Sequence, residues 1–276
     1  MIDYTFSIQD LEFFLLIVTR VTCFVHTAVF FSTTNVPRRV KVGFSLLLSF
    51  LIFRFVVPHM VLDYNTVIGY AVLVLKEAIA GLMLGFSTNL CMYILQFVGT
   101  VSDMDIGLSM MSLFDPISRV NTGFTGTMYQ YSVLIILCIT NMHHWILRAF
   151  IDSYELIPTG RAVFNTDRML ASMVEFFTDY YSIGFRIFMP VFGVMLLLNA
   201  VLGIMAKIAP QMNMFSVGMQ IKILVGLSVL FVTIGMLPSI SDFIFNEMKV
   251  MFGRFAEGVV SRHQLDSGIF HVGADD

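Results

Sequence analysis

From Thr66 to Val98 the chain carries an apolar run far longer than the ~20 residues that cross a hydrocarbon core, and its only charges are the adjacent Lys76 and Glu77. A lipid-facing helix resists such a pair, because each charge costs roughly 2.5–3.5 kcal/mol at a helix centre. The run must therefore face other protein, bend, or extend beyond the bilayer. Gly81 and Gly85 mark one of its faces at four-residue spacing. Lys76 and Glu77 are neighbours in sequence and point to different faces, so each needs its own partner. Arg20, Arg54, Lys207 and Lys222 pose the same demand in other apolar segments. Arg20, Lys76, Glu77 and Lys222 are accordingly read as buried polar or intersubunit contacts in an obligate membrane assembly.

Composition agrees with a membrane chain: 57% of the 276 residues are hydrophobic, 13% are charged, and mean hydropathy is +0.84. One helical membrane domain over residues 1–260 is expected, followed by a polar, flexible tail at 261–276. A net charge of −3 offers nucleic acid no electrostatic footprint. Cys23, Cys91 and Cys138 lie far apart in apolar segments without metal-ligand spacing, so they read as small hydrophobes. The chain has neither GxxxxGK[ST] nor HExxH, and Gly85-Phe86-Ser87 lacks the flanks of a nucleophile elbow. His143 and His144 are adjacent, point about 100° apart on a helix, and read as interfacial. No catalytic residue, metal site or cofactor is expected.

Taken in order, hydropathy predicts six spans: Leu11–Thr33, Val42–Val57, Thr66–Val98, Met128–Leu147, Ile183–Ala209 with a kink at Pro190, and Val217–Ile240. Two amphipathic helices join them. In the first, Met169, Leu170, Met173, Val174, Phe177, Tyr180 and Tyr181 share a side, within an acidic region at Arg148–Ser182. In the second, Phe243–Val260, the shared side carries Ile244, Met248, Met251, Phe252, Phe255 and Val259. The fold class is thus all-α and polytopic, about six hydrophobic segments as bent hairpins plus two amphipathic helices. Arg38, Arg39 and Lys41 in one turn, with Lys207 and Lys222 about another, place turns 34–41 and 207–216 in the cytoplasm. The termini and 148–182 then face the periplasm.

The stretch Gln96–Thr127 is too apolar for a solvated linker and too rich in Gly, Ser and Thr for a plain span. It reads as a long apolar loop packed inside protein on the cytoplasmic half. A bland connector and a working part both fit such a loop. Methionine is flexible and apolar, so it fills irregular gaps, and glycine lets such a loop move.

Particular motifs resemble the FliR family of flagellar biosynthetic proteins, homologous to the SctT component of injectisomes. Pro210, Gln211, Met212, Asn213 and Phe215, followed by Gly218, Lys222 and Gly226, resemble its turn signature. Lys76-Glu77 with Gly81, Gly85 and Phe86 resembles its KExxxGxxxGF, and Gly107-Leu108-Ser109 through Asp115-Pro116 its GLS…DP stretch. Pro37-Arg38, His143-His144 and Ser153–Gly160 match in order, so the resemblance runs from about Leu11 to Val260.

The resemblance implies a non-catalytic subunit of the type III export gate in the inner membrane, at the flagellar basal body. FliP-, FliQ- and FlhB-type subunits would be its partners, membrane lipid its surroundings, and unfolded flagellar polypeptides its passing cargo. It further implies hairpins packed in a helical spiral with those subunits, partly lifted out of the bilayer. Residues Gly107–Pro116 would then plug the closed conduit, with Met110, Met111, Leu113 and Phe114 as its sealing side chains. A secondary transporter or ion channel for small solutes is the alternative, distinguished by its ability to purify and act alone.

Overall fold

The computed structural model describes residues 8–32, 36–56, 64, 66–110, 123–164, 166–211 and 213–259. Eight α-helices occur among them: α1 (Ile8–Thr27), α2 (Arg38–Phe55), α3 (Val67–Ile106), α4 (Phe124–Ile139), α5 (Met142–Leu156), α6 (Thr166–Ile208), α7 (Met214–Ile234) and α8 (Leu237–Gly258). A short 3-10 turn, Leu108–Met110, follows α3. The chain divides into two compact units. The first draws on Met1–Leu90, Asn141–Glu175 and Met248–Asp276, the second on Cys91–Thr140 and Phe176–Glu247.

In the first unit α1 buries Phe13, Leu16, Ile17, Val21, Phe24 and Val25, the three- and four-residue spacing of one helix face. Arg20 falls on this stripe and is wholly buried. The α3 backbone approaches α1 closely enough that a Cβ on Gly81 would overlap the Arg20 carbonyl oxygen, and one on Gly85 the Thr27 hydroxyl. That is the use of the four-residue glycine pair: small residues let two helices touch backbone to backbone. Where α1 ends, Val29 donates its N–H to Thr88 Oγ1 on α3 at 3.4 Å. The Phe24 ring stacks on Phe150 of α5, with centroids 3.9 Å apart.

Helix α2 turns Lys41, Ser45, Leu48, Ser49 and Ile52 inward. The two serines return their hydroxyls to the Lys41 and Ser45 carbonyls at 2.7 and 2.6 Å, which lets polar residues occupy a buried face. Outward it shows Val42, Leu46, Leu47 and Phe50.

In the second unit a Cβ on Gly99 would overlap the Gly126 backbone, so the end of α3 and the start of α4 are in direct contact. The ring of Phe97 lies against Tyr180, Tyr181 and Phe185 of α6. Tyr180 donates to the Tyr93 carbonyl at 3.0 Å. Tyr129 and Thr233 join α4 to α7 through a 2.9 Å hydroxyl pair.

Several predicted boundaries move. The predicted loop Gln96–Thr127 is helical as far as Ile106 and again from Phe124. The helix stops at Gly107, whose φ of +95° takes the left-handed conformation that commonly ends helices, while its N–H bonds the Asp103 carbonyl at 3.0 Å. The predicted fourth span, Met128–Leu147, is broken after Ile139 by Thr140 and Asn141, the latter at φ 60°. Asparagine is one of the few residues that visits this region readily.

The first amphipathic helix and the fifth span are one continuous 43-residue helix, α6, running through Pro190. Nothing between Asp179 and Arg186 breaks it, since Gly184 there is packed against the Phe97 ring. The predicted amphipathic stripe is not a buried side. Met169, Met173 and Tyr180 are half-buried, while Leu170, Val174, Phe177 and Tyr181 stay exposed as an apolar outer face, and Phe176, outside the predicted stripe, is buried. Along α8 the predicted side is fully buried, at Ile244, Met248, Met251, Phe252, Phe255 and Val259.

Among the described residues three helices are long and apolar enough to cross a membrane: α3, α6 and Ser216–Ile234 of α7. Taking α4 and α5 together as one broken span raises the number to four. Neither α1 nor α2 qualifies, because Asp10, Glu12 and Arg20 lie within the first and Arg38, Arg39, Lys41 and Arg54 within the second. Their predicted spans began later or ended further on, which left part of this charge outside. At 1.5 Å per residue α6 has a contour of about 65 Å against roughly 30 Å of hydrocarbon, so much of it extends beyond the apolar layer.

Candidate functional site

Two polar pins stand out, one in each unit. In the first, Arg20 of α1 and Glu77 of α3 form an ion pair through Arg20 Nε, both side chains being 0% exposed. Arg20 Nη1 also donates to the Ile157 carbonyl at 2.8 Å, and the second oxygen of Glu77 accepts the Gly160 N–H at 2.7 Å. The guanidinium lies 4.5 Å from the centre of the Tyr154 ring. Pro158 to Arg161 is a tight turn closed by a 3.0 Å backbone bond, and Gly160 supplies its positive φ of 81°. One carboxylate and one guanidinium thus tie α1, α3 and the segment after α5 together. Ala80, Ile157, Ala162 and Val259 close an apolar layer in the same unit. The predicted buried residues Arg20 and Glu77 are each other's partner. Lys76 is half-buried and makes no ion pair among the described residues.

The second pin lies where α3 and α4 meet. Gly123, the residue before α4, brings no capping side chain. Asp103, 22 positions before Thr125 and near the end of α3, supplies the cap from outside. Its carboxylate accepts the Thr125 N–H at 3.1 and 3.3 Å and the Thr125 hydroxyl. A carboxylate at a helix N-terminus meets unpaired N–H groups and the positive end of the helix dipole. Asp103 is 3% exposed, and a Cβ on Gly123 would overlap its carboxylate, so a glycine at this position makes room for the cap. One turn further along α3, Ile106 packs against Gly226 of α7. Lys222, another predicted polar residue, lies half-buried one turn before Gly226 on α7.

Of the segment read as a plug, Gly107 ends α3, Leu108 and Ser109 lie half-buried in the 3-10 turn, and the Met110 backbone completes it. Met111, Leu113, Phe114, Asp115 and Pro116 lie outside the described residues. In the turn motif, Asn213 caps α7, its side-chain oxygen accepting the Ser216 N–H at 3.4 Å. Pro210 and Gln211 form the preceding turn, Phe215 lies in the first turn of α7, and Met212 is outside the described residues. Sequence reading missed Asp103 and Thr125 as a pair, and Tyr154, Ile157 and Gly160 around Arg20. The available signal for the first was the placement of Gly99 and Asp103 four residues apart on one helix face.

The two pins hold helices to helices and leave large apolar faces outward, including Phe185, Leu197, Val201, Leu224 and Phe231. A buried ion pair, tight small-residue contacts and apolar outer faces define an all-helical polytopic membrane protein. The chain belongs to the bacterial export proteins, family 1, whose sequence model it matches over residues 11–248. It is similar to the flagellar biosynthetic protein FliR of Bacillus subtilis (strain 168), with 29% identity over 82% of this chain and 88% of that protein. The FliR of Escherichia coli (strain K12) is 24% identical over 83% and 87%. That of Aquifex aeolicus (strain VF5) is 27% identical over 86% and 89%.

Proposed function

We propose that this chain is a FliR-type subunit of the flagellar type III protein export gate in the bacterial inner membrane. It is non-catalytic and helps form and close a conduit for unfolded flagellar proteins. The observation that carries this reading is the family match from residue 11 to 248, which takes in both pins and all but the last turns of α8. The apolar outer faces of α2, α6 and α7 support it, since they provide more contact surface than one chain uses by itself. FliP-, FliQ- and FlhB-type subunits are the proposed neighbours on those faces, with exported flagellar polypeptides passing in transit. The sealing role of Gly107–Pro116 belongs to the same proposal and rests on the sequence.

Orientation follows from the basic turns. With α3, α6 and α7 as the crossings, turns 34–41 and 207–216 share the cytoplasmic side and 148–182 faces the periplasm. This arrangement brings the amino terminus to the cytoplasmic side, where six spans had put it in the periplasm. It assigns the stretch between α3 and α4 to the periplasmic side, where six spans had put it on the cytoplasmic half. Single cysteines in each turn, labelled with a membrane-impermeant thiol reagent, test the assignment.

The function is tested by deleting the gene, scoring motility and flagellin secretion, and isolating the tagged chain in mild detergent for mass analysis. Loss of secretion, restored by complementation, together with co-purifying export subunits is the expected result. A chain that is recovered alone, stable and monodisperse, and that transports a small solute, would establish the transporter reading instead.

A further inference from the structure

Four buried polar atoms in the first unit have no hydrogen-bond partner among the described residues; one is Nδ1 of His143, and the other three surround the Arg20–Glu77 pair. They are Nη2 of Arg20, the hydroxyl of Tyr154 and Oγ1 of Thr159. Their residues are 0%, 4% and 3% exposed. The Tyr154 ring lies under the guanidinium. Thr159 sits between Ile157, whose carbonyl binds Arg20, and Gly160, whose N–H binds Glu77. Leaving a buried donor or acceptor unpaired costs about 1–3 kcal/mol each, so three together on one ion pair are not tolerated without a partner.

We propose that an internal water site completes this network, with water accepting from Arg20 Nη2 and bonding the hydroxyls of Tyr154 and Thr159. The donor inventory suits water. Arg20 offers N–H donors only, and the two hydroxyls can each donate or accept, so a water can reach three or four bonds here. An anion does not suit the site, because Glu77 already neutralises Arg20. The site joins α1, α5 and the 157–160 turn through groups the protein leaves open, just as the ion pair joins α1 to α3.

Two substitutions remove the hydroxyls while preserving shape. Tyr154→Phe keeps the ring beneath the guanidinium, and Thr159→Val keeps the branched outline. The sign of the effect decides the matter. A hydroxyl bonded to water is missed when removed, whereas an unpaired hydroxyl is better gone. In the assembled complex purified in detergent, each variant is expected to lower the melting midpoint by about 2–4 °C, the shift that one lost hydrogen bond produces in a chain of this size. An unchanged or raised midpoint in either variant overturns a shared site. So does a map at water-resolving resolution without density between the three atoms, or a midpoint in the unaltered complex that depends on chloride concentration.

Discussion

Removing one partner of the Arg20–Glu77 pair should do more harm than removing both. Glu77→Ala leaves a fully buried guanidinium with the Ile157 carbonyl and the Tyr154 ring as its remaining contacts, and strips the Gly160 N–H of its acceptor. Breaking a buried pair in this way costs about 3–5 kcal/mol, much of it the desolvation of the surviving charge. That is a drop of roughly two to four orders of magnitude in the ratio of folded to unfolded chain. Arg20→Met leaves Glu77 with the Gly160 N–H alone, which partly satisfies it, so the loss should fall at the lower end of the range. The double variant Arg20→Met with Glu77→Met buries two flexible apolar chains in the same volume and should recover most of the loss. The assay is the amount of tagged subunit recovered in the assembled complex, normalised to synthesis, for the four members of the cycle. If the double variant is as poor as the worse single one, the charges are not each other's partner and the reasoning fails.

The remaining predictions concern the second pin and the glycines. Asp103→Ala removes the external cap of α4 and should cost about 0.5–2 kcal/mol, read as faster hydrogen exchange over Phe124–Met128; unchanged exchange there would refute the capping role. Gly99→Ala drives a Cβ into the Gly126 backbone and should reduce assembly sharply, whereas Gly43→Ala, with nothing within 4 Å, should be neutral or slightly stabilising. Equal recovery of these two variants would refute the helix contact. At Gly107, φ +95° makes Asn better tolerated than Val, by about 1 kcal/mol, in the same recovery assay.

How far the sequence could be read depended on the range of the interaction. The inward face of α8 was legible residue by residue, since a 3.6-residue period is written in consecutive side chains. The same rule misplaced the stripe on α6. There the outer residues Leu170, Val174, Phe177 and Tyr181 are as apolar as the inner Phe176 and Ile183, so hydrophobicity alone does not say which side is covered. Helix ends were misplaced where a local exception decided them. Gly107 and Asn141 end or break helices through a left-handed conformation, and neither sits in a polar, proline-marked turn. Conversely, the glycine, serine and threonine residues around Gln96–Ile106 suggested a loop. Contact with α4 and α6 outweighs their weak helix propensity.

By itself, then, the sequence determined an all-helical membrane chain, the need of its buried charges for partners, its glycine-marked helix face and the family to which it belongs. Each of these follows from composition, from periodicity, or from motifs contained within a few consecutive turns. The tertiary structure alone decided which groups meet. Arg20 finds Glu77 57 positions away and Ile157 137 positions away, and Asp103 caps a helix that begins beyond an intervening segment. A buried charge announces that it needs a partner, because the cost of burying it alone is fixed by its own chemistry. Which partner it takes depends on chain geometry that no single helix contains.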